Sequence, residues 1–149
     1  MTSSQPTGTD GLVERTVPGL HDAVIAYFGS KLHPGMKAAD LGTGSGAFAA
    51  RLELIGCKVI ACDSDAAAYS GHSSFKLLDL DQPSLAQAQG HGEFDMVSAI
   101  EVIEHLEAPI RFLVQLRSHL GPGGFAVVTS PNVHSLPARA WLSPIPYVL

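Results

Sequence analysis

The stretch Asp40-Leu41-Gly42-Thr43-Gly44-Ser45-Gly46, directly after the apolar run at residues 36–39, constrains this chain more than any other part of it. Three glycines at alternate positions behind a short apolar run predict a strand that ends in a tight turn. Beyond the turn, Phe48, Leu52 and Ile55 recur at helical steps over residues 47–56, so a helix follows. A strand, a glycine turn and a helix make the opening unit of a nucleotide-binding α/β sheet. Glycine there lets backbone approach a ligand closely, and the helix start offers N–H groups without intrahelical partners. The same residues satisfy the looser dinucleotide pattern Gly42-x-Gly44-x-x-Ala47, and a glycine-rich turn without a ligand is the plain alternative.

Two acids narrow the choice. Asp40 lies just before the first glycine, and Asp63 closes the next apolar run, at residues 58–62. An acid at the end of a second strand, about 20 residues past such a turn, commonly holds ribose hydroxyls. Further strands are predicted at 75–78, 94–99 and 125–129, the fourth apolar on both faces as a central parallel strand should be. A helix opens at Pro18 with Leu20, Val24, Tyr27 and Phe28 as its stripe and stops at Pro34-Gly35. Ser64 can cap a short helix over 66–69, and residues 84–89 read as a polar helix or loop. Pro109 starts a helix whose buried stripe is Ile110, Leu113, Val114, Leu116 and Leu120, and Gly121-Pro122-Gly123-Gly124 is a tight connection into the fifth strand. Alternating strands and helices predict a Rossmann-like, doubly wound, mainly parallel sheet with helices on both faces.

At this point the sequence resembles the class I S-adenosylmethionine (SAM)-dependent methyltransferases. Residues 40–46 look like their first motif and Asp63 like their ribose-binding acid; residues 94–106 and 120–132 follow the same family. The subgroup it most resembles is the ubiquinone-biosynthesis O-methyltransferases and their relatives, over residues 20–132. The resemblance implies that Gly42, Gly44 and Gly46 shape the pocket around the methionine end of SAM, with Asp40 binding it through that loop, and that Ile100 lines the adenine or sulfonium side. It further implies that Asp79 accepts a hydrogen bond from the adenine amino group, with the Leu80 N–H near the ring.

The Glu101-Val102-Ile103-Glu104-His105 cluster is where an acceptor would be handled. In a helix, Glu101 meets Glu104 at i+3 and His105 at i+4 on one face. Two carboxylates and an imidazole can hold a divalent ion (Mg²⁺, Mn²⁺ or Zn²⁺), which would acidify a substrate hydroxyl. Resemblance points the same way: related quinone and small-RNA O-methyltransferases place a metal on a Glu-x-x-Glu-His motif, and His134 is a loose candidate for a further ligand. Without metal, His105, with Glu104, would act as general base, and a polar helix start is the bland alternative.

Composition bounds the rest. At 149 residues, 46% hydrophobic and 15% charged, the chain is one globular domain by length. A formal charge of −5 with nine scattered basic residues argues against an extended nucleic-acid surface. No apolar run approaches the ~20 residues of a membrane span, so a cytoplasmic location is the default expectation. Cys57 and Cys62 flank a strand and are expected to be reduced structural thiols, and His21, His33, His72, His91 and His119 to lie at the surface. The expected division is a disordered segment at 1–17, a SAM-binding domain at 18–132 and a tail at 133–149. The tail is broken by Pro137, Pro144 and Pro146, and Trp141 and Tyr147 in it are expected to pack rather than touch substrate. The pattern ends after the fifth strand, which implies truncation and an edge open to self-association. The leading expectation is methyl transfer from SAM to a small-molecule hydroxyl. The alternatives are a SAM-binding fragment or subunit without turnover and a nicotinamide-dependent oxidoreductase.

Overall fold

The computed structural model describes residues 11–82 and 93–131; the expectations for residues 1–10, the polar stretch at 84–89, His91, His134 and the tail lie outside them. The elements run α1 (Leu20–Phe28), β1 (Lys37–Leu41), α2 (Ala47–Ile55), β2 (Lys58–Asp63), β3 (Ser74–Leu77), β4 (Phe94–Ile100), a single 3₁₀ turn (Ile103–His105), α3 (Pro109–His119) and β5 (Leu120–Thr129). All pairings among these strands are parallel, in the order β3-β2-β1-β4-β5. The order reverses between β1 and β4, and a crevice opens at the carboxyl ends of strands on either side of such a reversal.

Two apolar layers sandwich the sheet because strand side chains alternate faces. Ala38, Val59, Ala61, Met96 and Val127 meet α1 and α2 through Val24, Phe48, Ala49 and Leu52. Ala39, Leu41, Cys62, Val97 and Ala99 meet Phe112 and Leu116 of α3. Phe48 and Leu52 are at most 2% exposed, and burial of side chains this size stabilises by about 1.5–3 kcal/mol each. Cys57 and Cys62 are both buried free thiols, as expected, and burial pushes the Cys62 thiol up to about 12, with the Asp40 charge adding to it.

Several local expectations are corrected. In α1, Tyr27 is 82% exposed and the inward line runs through His21 and Val24, so His21 is not at the surface. In α3, Ile110 and Val114 face outward at 74% and 67% exposure. The buried line is Phe112, Leu116 and His119, at i, i+4 and i+7, which buries a second histidine. No helix forms at 66–69, where Asp65 rather than Ser64 takes the role: its Oδ1 accepts the N–H groups of Ala67 (3.0 Å) and Ala68 (3.2 Å). Such side-chain bonds offer a short segment an alternative to a helix it could not nucleate. The expected connection before the fifth strand is part of β5 itself, a bulge that lets Leu120 pair with Phe94 and Phe125 with Met96.

Candidate active site

A cavity of ≈ 390 Å³ lies over the carboxyl ends of β1, β2, β3 and β4. The glycine turn forms its floor. Gly42 has φ 73°, a region that favours glycine, and a Cβ there would collide with Val102. Gly46 (φ 92°) starts α2 with room for no Cβ, since one would lie 2.8 Å from the Tyr69 ring.

Four N–H groups of this turn, those of Gly42, Thr43, Gly44 and Gly46, are bonded within the protein. Those of Gly42 and Thr43 go to the Cys62 carbonyl (2.8 and 3.0 Å), and that of Gly46 goes to the Thr43 carbonyl (2.9 Å). Gly44 donates to Asp63 Oδ2 at 2.8 Å, while Asp63 Oδ1 accepts the Asp65 N–H at 3.0 Å. Asp63 thus ties the turn to the end of β2 and still presents carboxylate oxygens to the cavity, each with acceptor capacity left. Beneath, Asp40 is 2% exposed and accepts hydroxyl hydrogen bonds from Thr43 Oγ1 and Ser98 Oγ, both at 2.7 Å. Burial raises the Asp40 pKa above the ordinary carboxylate value; the two hydroxyls oppose that shift. Asp40 therefore braces the turn from below.

The opposite wall comes from the ends of β3 and β4. Leu80 and Ile100 are buried apolar lining, and Asp79 lies at the rim with its Oδ1 accepting the Asp81 N–H at 3.0 Å. Asp81 Oδ1 in turn accepts the Glu107 N–H at 2.8 Å, which fastens this loop to the approach to α3. Glu101 leaves β4 at φ 54°, unusual for a residue with a Cβ. Thr129, at the end of the neighbouring strand, holds it there: its Oγ1 accepts the Glu101 N–H (3.0 Å) and donates to Glu101 Oε1 (3.3 Å). Burial raises the Glu101 pKa, with the Glu104 charge adding to it.

That geometry corrects the expected metal set. Glu101 stands outside any helix, and only the 3₁₀ turn follows, so no i, i+3, i+4 face forms. Glu101 is drawn to Thr129, and His105 is exposed with Nε2 3.9 Å from Glu104 Oε1. Among the described residues no group of three His, Cys, Asp or Glu side chains is placed to hold a metal ion. The described residues do not fit one.

Of the other residues singled out in the sequence, Asp40, Gly42, Gly44, Asp63, Asp79, Leu80, Ile100, Glu101 and His105 line the cavity, whereas Gly46 and Glu104 lie outside its lining. Sequence reasoning missed Val13, Arg15 and Thr16, which line it from the chain's N-terminal side, and His21. The His21 ring packs edge-on against Phe48 at 5.3 Å, its Nδ1 has no hydrogen-bond partner, and burial holds its pKa below the ordinary imidazole value. Thr43 and Ser45 could have been flagged as the polar positions between the glycines. No helix among the described residues is long and apolar enough to cross a membrane.

Comparison with known proteins identifies the architecture. A family described as a methyltransferase domain matches residues 13–148. A ubiquinone biosynthesis O-methyltransferase from Rickettsia canadensis is 30% identical over 103 residues, which cover 65% of this chain and 43% of that protein. The chain therefore spans less than half the length of that curated relative. Among solved structures, an S-adenosylmethionine-dependent methyltransferase from Mesorhizobium loti superposes with a TM-score of 0.57 at 20% identity, covering 66% of this chain and 48% of that one. The Burkholderia thailandensis 1,6-didemethyltoxoflavin-N1-methyltransferase, solved with bound S-adenosylhomocysteine, gives 0.55 at 19% identity, covering 72% of this chain and 48% of that one.

Proposed function

The chain belongs to the methyltransferase-domain family, and on that premise we propose that it transfers a methyl group from SAM to a hydroxyl of a small molecule. One observation carries the cofactor reading: the N–H groups of Gly42, Thr43, Gly44 and Gly46 are bonded to protein acceptors. A dinucleotide site uses such donors for its pyrophosphate, and here four of them are taken, with the Asp40 carboxyl group directly beneath. A phosphate-free adenosyl ligand meets neither obstacle. The donor set fits it: Asp63 can accept from ribose hydroxyls, Asp79 from an adenine amino group, and Leu80 and Ile100 give apolar faces for a ring. Gly42 and Gly44 leave room for the remaining, methionine-derived part.

SAM, when bound, supplies a methyl group already activated on a sulfonium, which leaves the protein to orient the acceptor and handle its proton. His105, on the cavity lining, takes the proton of the acceptor hydroxyl, and Glu104, at 3.9 Å, steadies the imidazolium that results. Oxygen as the accepting atom is supported by the name of the Rickettsia relative, whereas the Burkholderia neighbour's name gives nitrogen. Incubation with SAM carrying an isotopically labelled methyl group, against paired phenolic and amine acceptors, separates the two. Label recovered as an aryl methyl ether is the expected result; label recovered only on nitrogen would contradict the oxygen assignment.

A further inference from the structure

Residues 13–16 are fastened over the cavity from outside it. Val13, Arg15 and Thr16 line the cavity, while Glu14 between them does not. The Val13 carbonyl accepts a 2.8 Å hydrogen bond from Ser45 Oγ, which joins the segment directly to the glycine turn. Glu14 reaches the other way, to the guanidinium of Arg51 on the middle of α2. Arg51 is held on three sides: Nη2 donates to Glu14, Nε donates to Asp22 of α1 at 2.9 Å, and Nη1 donates to the Ala47 carbonyl of its own helix at 3.2 Å. Its side chain is only 18% exposed, against 75% for that of Asp22, so the Glu14 arm is the more shielded one. A shielded guanidinium–carboxylate pair, with its planar fork fixed by further bonds, holds geometry far better than an exposed one.

We infer that Arg51 is a positioning residue for the cofactor pocket. It touches no ligand; through Glu14 it holds residues 13–16 against the glycine turn, where Arg15 and Thr16 close one side of the cavity. Without it the segment keeps the Ser45 hydrogen bond and the 3.8 Å approach of Glu14 to His21 Nδ1, in a row of mostly exposed residues. Segments with so few buried contacts open readily. Loss of the anchor therefore lowers the population of the closed, binding-competent state, and apparent affinity falls in proportion.

The inference rests on the SAM reading above, and its test uses S-adenosylhomocysteine as the probe, by calorimetry, together with amide hydrogen exchange of the ligand-free protein. Arg51→Met and Glu14→Gln should each weaken binding by about 5- to 30-fold and accelerate exchange at residues 13–17, with exchange in β1 and β4 unchanged. Arg51→Lys, which keeps a charge for Glu14 but loses the fork's further bonds to Asp22 and the Ala47 carbonyl, should fall between the wild type and Arg51→Met. Glu14→Gln leaves every helix residue intact, so it answers the question even where the α2 variant folds poorly. Wild-type binding with both variants within twofold, or slow exchange retained at residues 13–17, would overturn the positioning role alone. A wild-type chain that does not bind the probe would overturn the cofactor reading and this inference with it.

Discussion

The two halves of the cavity are built in opposite ways. On the β1–β2 side the backbone N–H groups of Gly42, Thr43, Gly44 and Gly46 have partners inside the protein, and Asp40 beneath is buried with two hydroxyl partners. On the β4 side a residue in a left-handed conformation leads into a single 3₁₀ turn that ends at an exposed histidine. The first half is rigid and its shape is set by bonds that span few residues or adjacent strands. The second lines the cavity with Glu101, held by Thr129, and the exposed His105. A fixed half suits a ligand that never changes, and a more open half suits an acceptor that does.

The largest expected effect falls on the open half. His105→Ala should lower the rate of methyl transfer by about 10²–10⁴-fold, the usual range for a lost general base, while S-adenosylhomocysteine affinity stays within about twofold. Equal losses of rate and affinity would erase the distinction between the halves. The labelled-methyl assay and calorimetry read the two quantities separately.

Next comes the fixed half. Asp63→Ala removes a carboxylate that both braces Gly44 and faces the cavity, so affinity for S-adenosylhomocysteine should fall by roughly 10- to 150-fold, equivalent to about 1.5–3 kcal/mol. An unchanged dissociation constant would show that the ligand sits elsewhere.

How much of this was legible in the sequence follows the same division. The glycine turn could be read because its chemistry is local: glycines, the acid before them and the acid closing the next strand lie in register along the chain. The left-handed turn at Glu101 could not, because Thr129, on the far side of α3, holds it. The anchor of the N-terminal segment was invisible for the same reason, since Arg51 is a helix surface residue until α1 and Glu14 fold against it. In α3 the expected stripe mixed two faces: Leu116 is buried as expected, with Phe112, which that stripe left out, whereas Ile110 and Val114 face outward. Apolar positions surround that helix, and only the sheet it packs on selects among them.

A smaller effect sharpens the account of Asp40. Burial raises its pKa in the folded state, so the folded protein favours the protonated acid more than the unfolded chain does. Its favourable contribution is full below the unfolded carboxylate pKa of about 3.9 and is lost as pH rises through the raised folded value. Asp40→Asn removes that ionisation while keeping a side chain able to bond Thr43 and Ser98. In urea denaturation from pH 4 to 8, the stability of the variant relative to the wild type should rise with pH and then level off. Parallel curves would mean that the carboxylate ionises at no cost in its buried site.

A turn with four of its N–H groups already bonded, braced by Asp40 and Asp63, takes an adenosyl ligand without phosphate. Calorimetric titration of the wild-type chain with S-adenosylhomocysteine and with NAD tests it most directly. S-adenosylhomocysteine is expected to bind, with affinity for NAD on the order of 100-fold weaker, because the bonded N–H groups of Gly42, Thr43, Gly44 and Gly46 are not free to pair with its phosphates. NAD binding as tightly as S-adenosylhomocysteine, or more tightly, would contradict it.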